Sequence, residues 1–333
     1  SVNIAKKNMP HHVKFINAIL RQLSRDVENN KLEKLSPLKN LPIEIINKWE
    51  DELSQDQLIK IVNQHILTPP ALDISISAKE DINKWKLNLK GEIFGNNNIR
   101  LINNYGKIDK LHGYNEGKWW IQDIAAQLPV KILLPKIKKN ANVIDICAAP
   151  GGKTAQLLSN DLNVTSIESN DIRAKLLNNN LTRLNLKTKL IIEDANQYKP
   201  EQLADAVLLD APCSSSGTLR KNPDILWRLT YIKNNYASNI NSLLKIQSDL
   251  LNSASKMLKL GGLLVYSVCS LDKDEGVNQI VDFIKKNSKF VIDPINKSEV
   301  DVTKQVITKE GFIKTLPFFN SELGGMDGFF IAR

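Results

Sequence analysis

Hydrophobic and polar positions change their period twice along the chain. Residues 9–26 place Val13, Ile16, Ile19, Leu20 and Leu23 at helical spacing. Pro42 is suited to open a second helix carrying Ile43, Ile46 and Trp49. A third helix is expected near 55–65, and Thr68-Pro69-Pro70 then breaks the chain. From residue 71 the period shortens. Leu72, Ile74 and Ile76 alternate as in a half-buried strand. A helix near 79–89 follows, with short strands near 99–102 and 119–122 between Gly- and Asn-rich turns. From about 123 short apolar runs at 142–147, 163–168, 188–192, 205–210 and 261–268 alternate with helical patterns at 123–135, 152–160, 171–184, 238–259 and 274–286. Strands separated by helices predict a parallel α/β sheet. Gly328-Phe-Phe-Ile-Ala reads as a further strand, antiparallel at the sheet edge. The organisation expected is a helical segment over 1–65, a small α+β module over 66–122 and an α/β domain over 123–333.

Length and composition narrow the class. With 333 residues, 42% hydrophobic and 24% charged, the chain can bury a core without staples. Its three cysteines do not make a disulfide framework; they fit a reducing, cytoplasmic setting. No His/Cys spacing suggests a metal site. The apolar runs fall far short of the roughly 20 residues a membrane helix needs. Lys and Arg total 45 against 36 acids, a formal charge of +9, as a nucleic-acid binder often shows. The abundance of Lys, Asn and Ile also fits a biased genome composition. Local basic groups say more: Arg220, Lys221 and Arg228 follow closely after Cys213.

The candidate chemistry sits at strand ends, where open α/β sheets bind ligands. Cys213, in Asp210-Ala-Pro-Cys213-Ser-Ser-Ser-Gly, follows the run Ala206-Val-Leu-Leu. Cys269, in Val265-Tyr-Ser-Val-Cys269-Ser270, follows another, and Cys147 ends a third. A cysteine at a strand end is otherwise an ordinary small core residue. Two thiols at one cleft point to covalent chemistry, because thiolate is the strongest side-chain nucleophile near neutral pH. Asp145-Ile-Cys147-Ala148-Ala149-Pro150-Gly151-Gly152-Lys153-Thr154 reads as strand, glycine turn and helix start. Its glycines admit a close ligand, and the helix N-terminus favours an anion. The spacing matches neither GxGxxG nor a phosphate-binding loop, so a nucleoside bearing a carboxylate suits it at least as well as a pyrophosphate. Glu168, ending the second strand, can accept ribose hydroxyls or simply start the next helix, and Asn170-Asp171 can cap that helix. Asp194, after the third strand, can take an exocyclic amine.

Together these strings resemble the S-adenosylmethionine-dependent RNA cytosine-5 methyltransferases, most closely the bacterial 16S ribosomal RNA enzymes of the Sun/Fmu type. The matching strings are the glycine turn, Asp210 to Trp227, and Leu264 to Gly276. Gln122-Asp123-Ile-Ala-Ala-Gln127 and Asp327-Gly328-Phe329-Phe330 add to them. The likeness is clear over 120–333 and looser over 9–120. It implies a class I, Rossmann-like methyltransferase domain behind a small α+β RNA-binding module. Residues 1–65 would be the remnant of a NusB-like RNA-binding domain, most of it absent. It implies that Cys147 to Lys153 wrap the methionine part of S-adenosylmethionine, Glu168 the ribose and Asp194 the adenine, while Asp210 reaches both cofactor and base. Cys269 would be the nucleophile, with Cys213 aiding product release and Lys153 orienting Asp210 or lowering a thiol pKa. Arg220, Lys221 and Arg228 would hold phosphates of an unstacked RNA target, and a monomer is expected. The sequence departs from the pattern at Val268, where Thr is usual, at Glu168, where Asp is usual, and in its short amino-terminal part. The alternatives are a transfer RNA cytosine-5 methyltransferase and a non-catalytic RNA-binding assembly factor. The intact thiol pair speaks against the second. Amino-directed methyltransferases carry Asn/Asp-Pro-Pro-aromatic where this chain has Asp-Ala-Pro-Cys.

Overall fold

The computed structural model describes residues 2–29, 36–67, 70–102, 105–232 and 236–333. They form two compact units, Ser1–Asn40 and Leu41–Arg333, divided inside the helical segment. The first holds α1 (Val2–Asn8) and α2 (Val13–Glu28), with a 3-10 turn begun by Pro10 between them. On α2 the apolar residues Phe15, Ile19, Leu20, Leu23 and Val27 are exposed.

The second unit opens with α3 (Ile43–Trp49) and α4 (Gln55–Leu67). Pro42 is the N-cap residue of α3, whose buried face is Ile45, Ile46 and Trp49, whereas Ile43 is exposed. Thr68 and Pro69 of the expected break lie outside the described residues. A small antiparallel sheet follows, made of β1 (Leu72–Ile76), β2 (Glu92–Ile93), β3 (Asn98–Leu101) and β4 (Trp119–Ile121) in the order β2-β3-β1-β4, with α5 (Ile82–Leu89) beside it. Strand β1 is buried on both faces rather than half-buried. Its polar face meets the rest of the unit: Asp73 takes two 2.7 Å bonds from Arg100, and Ser75 donates to Gln122. Arg100 in turn donates to the carbonyls of Leu323 and Gly325. Burying these polar side chains is tolerable because each finds a partner.

The larger sheet begins after α6 (Ile124–Leu133) and contains β5 (Asn142–Ile146), β6 (Asn163–Ile167), β7 (Lys189–Ile191), β8 (Ala204–Asp210), β9 (Leu258–Val268), β10 (Ile313–Lys314) and β11 (Phe330–Ala332). Helices α7 (Gly152–Ser159), α8 (Asp171–Arg183), α9 (Ile225–Trp227), α10 (Tyr236–Lys256) and α11 (Val277–Lys286) join its strands. The order is β10-β11-β9-β8-β5-β6-β7, with β7, β6, β5, β8 and β9 parallel. Alternate residues serve opposite faces. Val143 and Leu208 meet α6 and α7 through Leu128 and Leu157. Ile144 and Leu209 meet α10 and α11 through Leu251 and Phe283. The terminal strand β11 is antiparallel to β9 as expected, but it lies inside the sheet. The edge belongs to the two-residue β10, too short to show any period. Strand order reverses at β5, so a crevice opens beyond the carboxyl ends of β5 and its neighbours.

Candidate active site

Strands β8 and β9 run side by side, with Asp210 opposite Ser267, so the loops leaving them are neighbours. Cys213 and Cys269 thereby come together, their Sγ atoms 3.4 Å apart, with Ser215 Oγ 3.5 Å from Cys269. Gly217 N–H donates to the Cys269 carbonyl, and the Gly217 carbonyl accepts from Gly328 N–H at 2.8 Å. A Cβ on Gly217 would sit 2.0 Å from the Gly328 carbonyl oxygen, so the backbone approach needs a glycine there. This contact explains why glycines stand in both the Cys213 loop and the Asp327-Gly328 string. The bond to Cys269, burial and nearby Glu275 push the Cys213 thiol well above the ordinary cysteine range.

Asp210 joins the thiol loops to a second cleft. It accepts from Ser267 Oγ at 2.9 Å and from Lys153 Nζ at 2.7 Å. The cleft, about 220 Å³, is bordered by Gln122, Asp123, Asp145, Cys147, Ala148, Ala149, Pro150, Gly152, Lys153, Asp210, Lys221 and Asp327. Its floor is the turn after β5. Cys147 takes a left-handed φ of +60°, and Gly151, the N-cap of α7, one of +103°. The free N–H groups of α7 open beside this turn. Burial, then the carboxylates of Glu168 and Asp210, push the Cys147 thiol up to about 12. Its side chain borders the cleft.

Asp145 supplies a test of fit for a cofactor carrying an ammonium and a carboxylate. It is buried; Oδ2 accepts from Thr154 Oγ1 at 2.6 Å, and Oδ1 has no partner among the described residues. Burial raises its pKa to about 7, against the opposing Thr154 bond. A cationic amine in the cleft would satisfy that oxygen, and the N-terminus of α7 would favour the carboxylate. Glu168, at the end of β6, is buried; it accepts from Asn170 N–H at 3.2 Å and Ala149 N–H at 3.4 Å, with Arg173 at 3.6 Å. Asn170 is indeed the N-cap of α8. Asp194 is exposed beyond β7 and accepts from Asn196 N–H at 2.9 Å. Neither it nor Glu168 borders the cleft around Cys147 and Lys153.

The basic group is placed differently from the sequence expectation. Arg220 is fully buried; it donates to Asp123 and Asp327 at 3.0 Å each and to the Gly324 carbonyl. Lys221 bridges the same two acids at 2.6 and 2.8 Å. Arg220 is therefore not available to a phosphate, and Lys221 faces the cofactor cleft. Burial works against charge on Asp123, but Lys221 and Arg220 outweigh it and hold its carboxyl well below the usual range. Arg228 is exposed, paired only loosely with Asp224 at 3.8 Å. In sequence it stands between Trp227 and Tyr231, whose rings stack on one another at 5.6 Å and 14°. Asp123, Asp327 and Glu275 are the site residues that sequence reasoning quoted without giving them a role. Their signal is position inside matching strings; Arg220 and Lys221, which pair with the two aspartates, and Ser214, which pairs with Glu275, are remote in sequence.

A seven-stranded sheet with one antiparallel strand inserted near its edge, a glycine turn after β5 and an acid after β6 define a class I S-adenosylmethionine-dependent methyltransferase. Within that class, the chain belongs to the 16S rRNA methyltransferase RsmB/F family, which it matches over residues 131–333. It is similar to the probable ribosomal RNA small subunit methyltransferase B of Synechocystis sp., 31% identical over all of this chain and 76% of that protein. The ribosomal RNA small subunit methyltransferase B of Vibrio vulnificus is 38% identical over 54% of this chain, which spans 41% of that relative. Among solved structures, that of PH0851 superposes with a TM-score of 0.79 at 25% identity, covering 99% of this chain and 74% of its own.

Proposed function

We propose that this chain methylates carbon 5 of a cytidine in 16S ribosomal RNA through a covalent cysteine–cytosine intermediate. Bound S-adenosylmethionine supplies the electrophilic methyl group. Carbon 5 of cytosine is a poor nucleophile, so Cys269 adds to carbon 6 and makes the ring enamine-like. Asp210, held between Ser267 and Lys153, stabilises the electron density that builds up at the ring nitrogen. Cys213 then assists removal of the carbon 5 proton, after which the Cys269 thiolate is expelled. The observation that carries this reading is the 3.4 Å thiol pair, joined through β8 and β9 to the cofactor cleft by Asp210. The family resemblance gives the attack to Cys269 and the release to Cys213, which accepts the carbon 5 proton directly or through water.

The base must be unstacked to reach the thiols. Arg228 with the exposed Trp227–Tyr231 pair is the surface proposed to hold the flanking RNA, by phosphate pairing and base stacking. The small sheet of 66–122 and the helical segment 1–65 are proposed to add RNA contacts, and the protein to act as a cytoplasmic monomer. Among the described residues no helix is long and apolar enough to cross a membrane.

The test is a denaturing gel with radiolabelled RNA. Cys269→Ala should abolish methyl transfer with cofactor affinity nearly intact, and Cys213→Ala should accumulate a denaturation-resistant adduct. An adduct from Cys269→Ala with an active Cys213→Ala would reverse the two roles. Bisulfite sequencing of ribosomal and transfer RNA from a strain lacking the gene identifies the substrate class. Loss of a mark in transfer RNA alone would reject ribosomal RNA.

A further inference from the structure

Glu275 lies in the string that follows Cys269, and the reaction outlined above gives it no part. It is completely buried. Two donors reach each carboxylate oxygen. Ser214 N–H and Gln247 Nε2 donate to Oε1 at 2.8 and 3.0 Å. The hydroxyls of Ser214 and Ser270 both reach Oε2 at 2.5 Å and lie 3.0 Å from one another. All four donors are uncharged. Burying a carboxylate among neutral donors is costly, whereas a polar group that accepts without donating is what four converging donors need. Ser214 follows Cys213 and Ser270 follows Cys269, so one side chain grips the residue after each thiol. The network reaches further: Ser216 Oγ lies 3.1 Å from Ser270 Oγ and accepts from Leu271 N–H, and the Glu275 carbonyl accepts from Tyr266 OH.

We propose that Glu275 is a positioning residue that clamps the loops after β8 and β9 together through Ser214 and Ser270, holding the two thiols in working register. It touches neither substrate nor cofactor. The pair bears on both halves of the covalent cycle, addition by one thiol and release aided by the other, so the inference rests on the covalent reading above. A small change in their spacing affects turnover before it affects binding.

The experiment compares wild type with Glu275→Ala in two assays. Methyl transfer to transcribed 16S ribosomal RNA should show kcat reduced by roughly tenfold or more, since ångström-scale misplacement of reacting groups costs up to about 100-fold. KM for RNA and the Kd for S-adenosylmethionine should stay within about twofold of wild type. The second assay needs no RNA: oxidation by diamide, which takes up the two protons and two electrons released as Cys213 and Cys269 join, followed by mass spectrometry. Disulfide formation should slow several-fold once the loops are no longer clamped. Should Glu275→Ala fail to fold, Ser214→Ala with Ser270→Ala removes the two gripping hydroxyls and is read identically. Unchanged kcat, a rise in KM alone, or an unchanged disulfide rate would overturn the proposal. Activity surviving in Cys269→Ala would instead overturn the covalent reading, while the disulfide rate would still report on the clamp.

Discussion

Replacing Arg220 with Ala should cost folding stability and leave the salt dependence of RNA binding alone. The guanidinium is completely buried and has three acceptors: Asp123, Asp327 and the Gly324 carbonyl. It and Lys221 balance two buried acids, so the four charges form a closed set. Without Arg220 one negative charge is uncompensated, a carbonyl loses its donor and a void remains. Breaking a buried ion pair by removing one partner costs about 3–5 kcal/mol. Lys221 still touches both acids, which places the expected loss near the lower end, about 3 kcal/mol. For large domains 1 kcal/mol corresponds to about 2–4 °C, so Tm should fall by about 6–12 °C. Circular dichroism melts measure this. Filter binding to a ribosomal RNA hairpin across a salt series measures the rest, because each lost phosphate contact would flatten the log–log slope by about one unit. A melting temperature within 2 °C of wild type, together with a slope flattened by one, would refute the buried-cluster argument and return Arg220 to the RNA surface.

Four further outcomes are expected. Arg228→Ala should flatten the salt slope by about one unit without lowering Tm, and Trp227→Ala should weaken hairpin binding by about 1–3 kcal/mol, the worth of one stacked base, with the slope unchanged. Isothermal titration should show Glu168→Ala weakening S-adenosylmethionine binding by roughly 1–3 kcal/mol, and Asp194→Ala by less, since Asp194 is exposed; wild-type affinity in Glu168→Ala would remove Glu168 from the site. Burial raises the folded pKa of Asp145 to about 7, above its ordinary acid value, so the folded state prefers the protonated group. Its contribution is therefore intact below about pH 4 and lost as pH rises through 7, and urea midpoints of the cofactor-free protein should decline less over that window in Asp145→Asn.

The sequence was informative wherever chemistry follows directly on a local period. Cys213 and Cys269 each end an apolar run, so their meeting needs only that two parallel strands be neighbours, which β8 and β9 are. The turn from Asp145 to Thr154 is legible for the same reason, since strand, glycines and helix start are contiguous. What could not be read is what depends on partners far along the chain. Arg220 looks like a surface cation because its acids, Asp123 and Asp327, stand 97 residues before it and 107 after it. Asp73 and Ser75 made β1 look half-buried because Arg100 and Gln122, which make their burial tolerable, belong to other segments. Glu275 is five residues from Ser270 but 61 from Ser214. A charged side chain is conspicuous in a sequence whether it is solvated or buried; only the fold supplies the opposite charge or the donors that decide between the two. The errors at the site therefore fall on buried polar groups, while the apolar periods placed the strands and helices they predicted within a few residues and passed over the short β2, α9 and β10. The same asymmetry gives the clusters around Arg220 and Glu275 their diagnostic value: nothing local requires either one, so the cost of burying them must be met by what they hold in place.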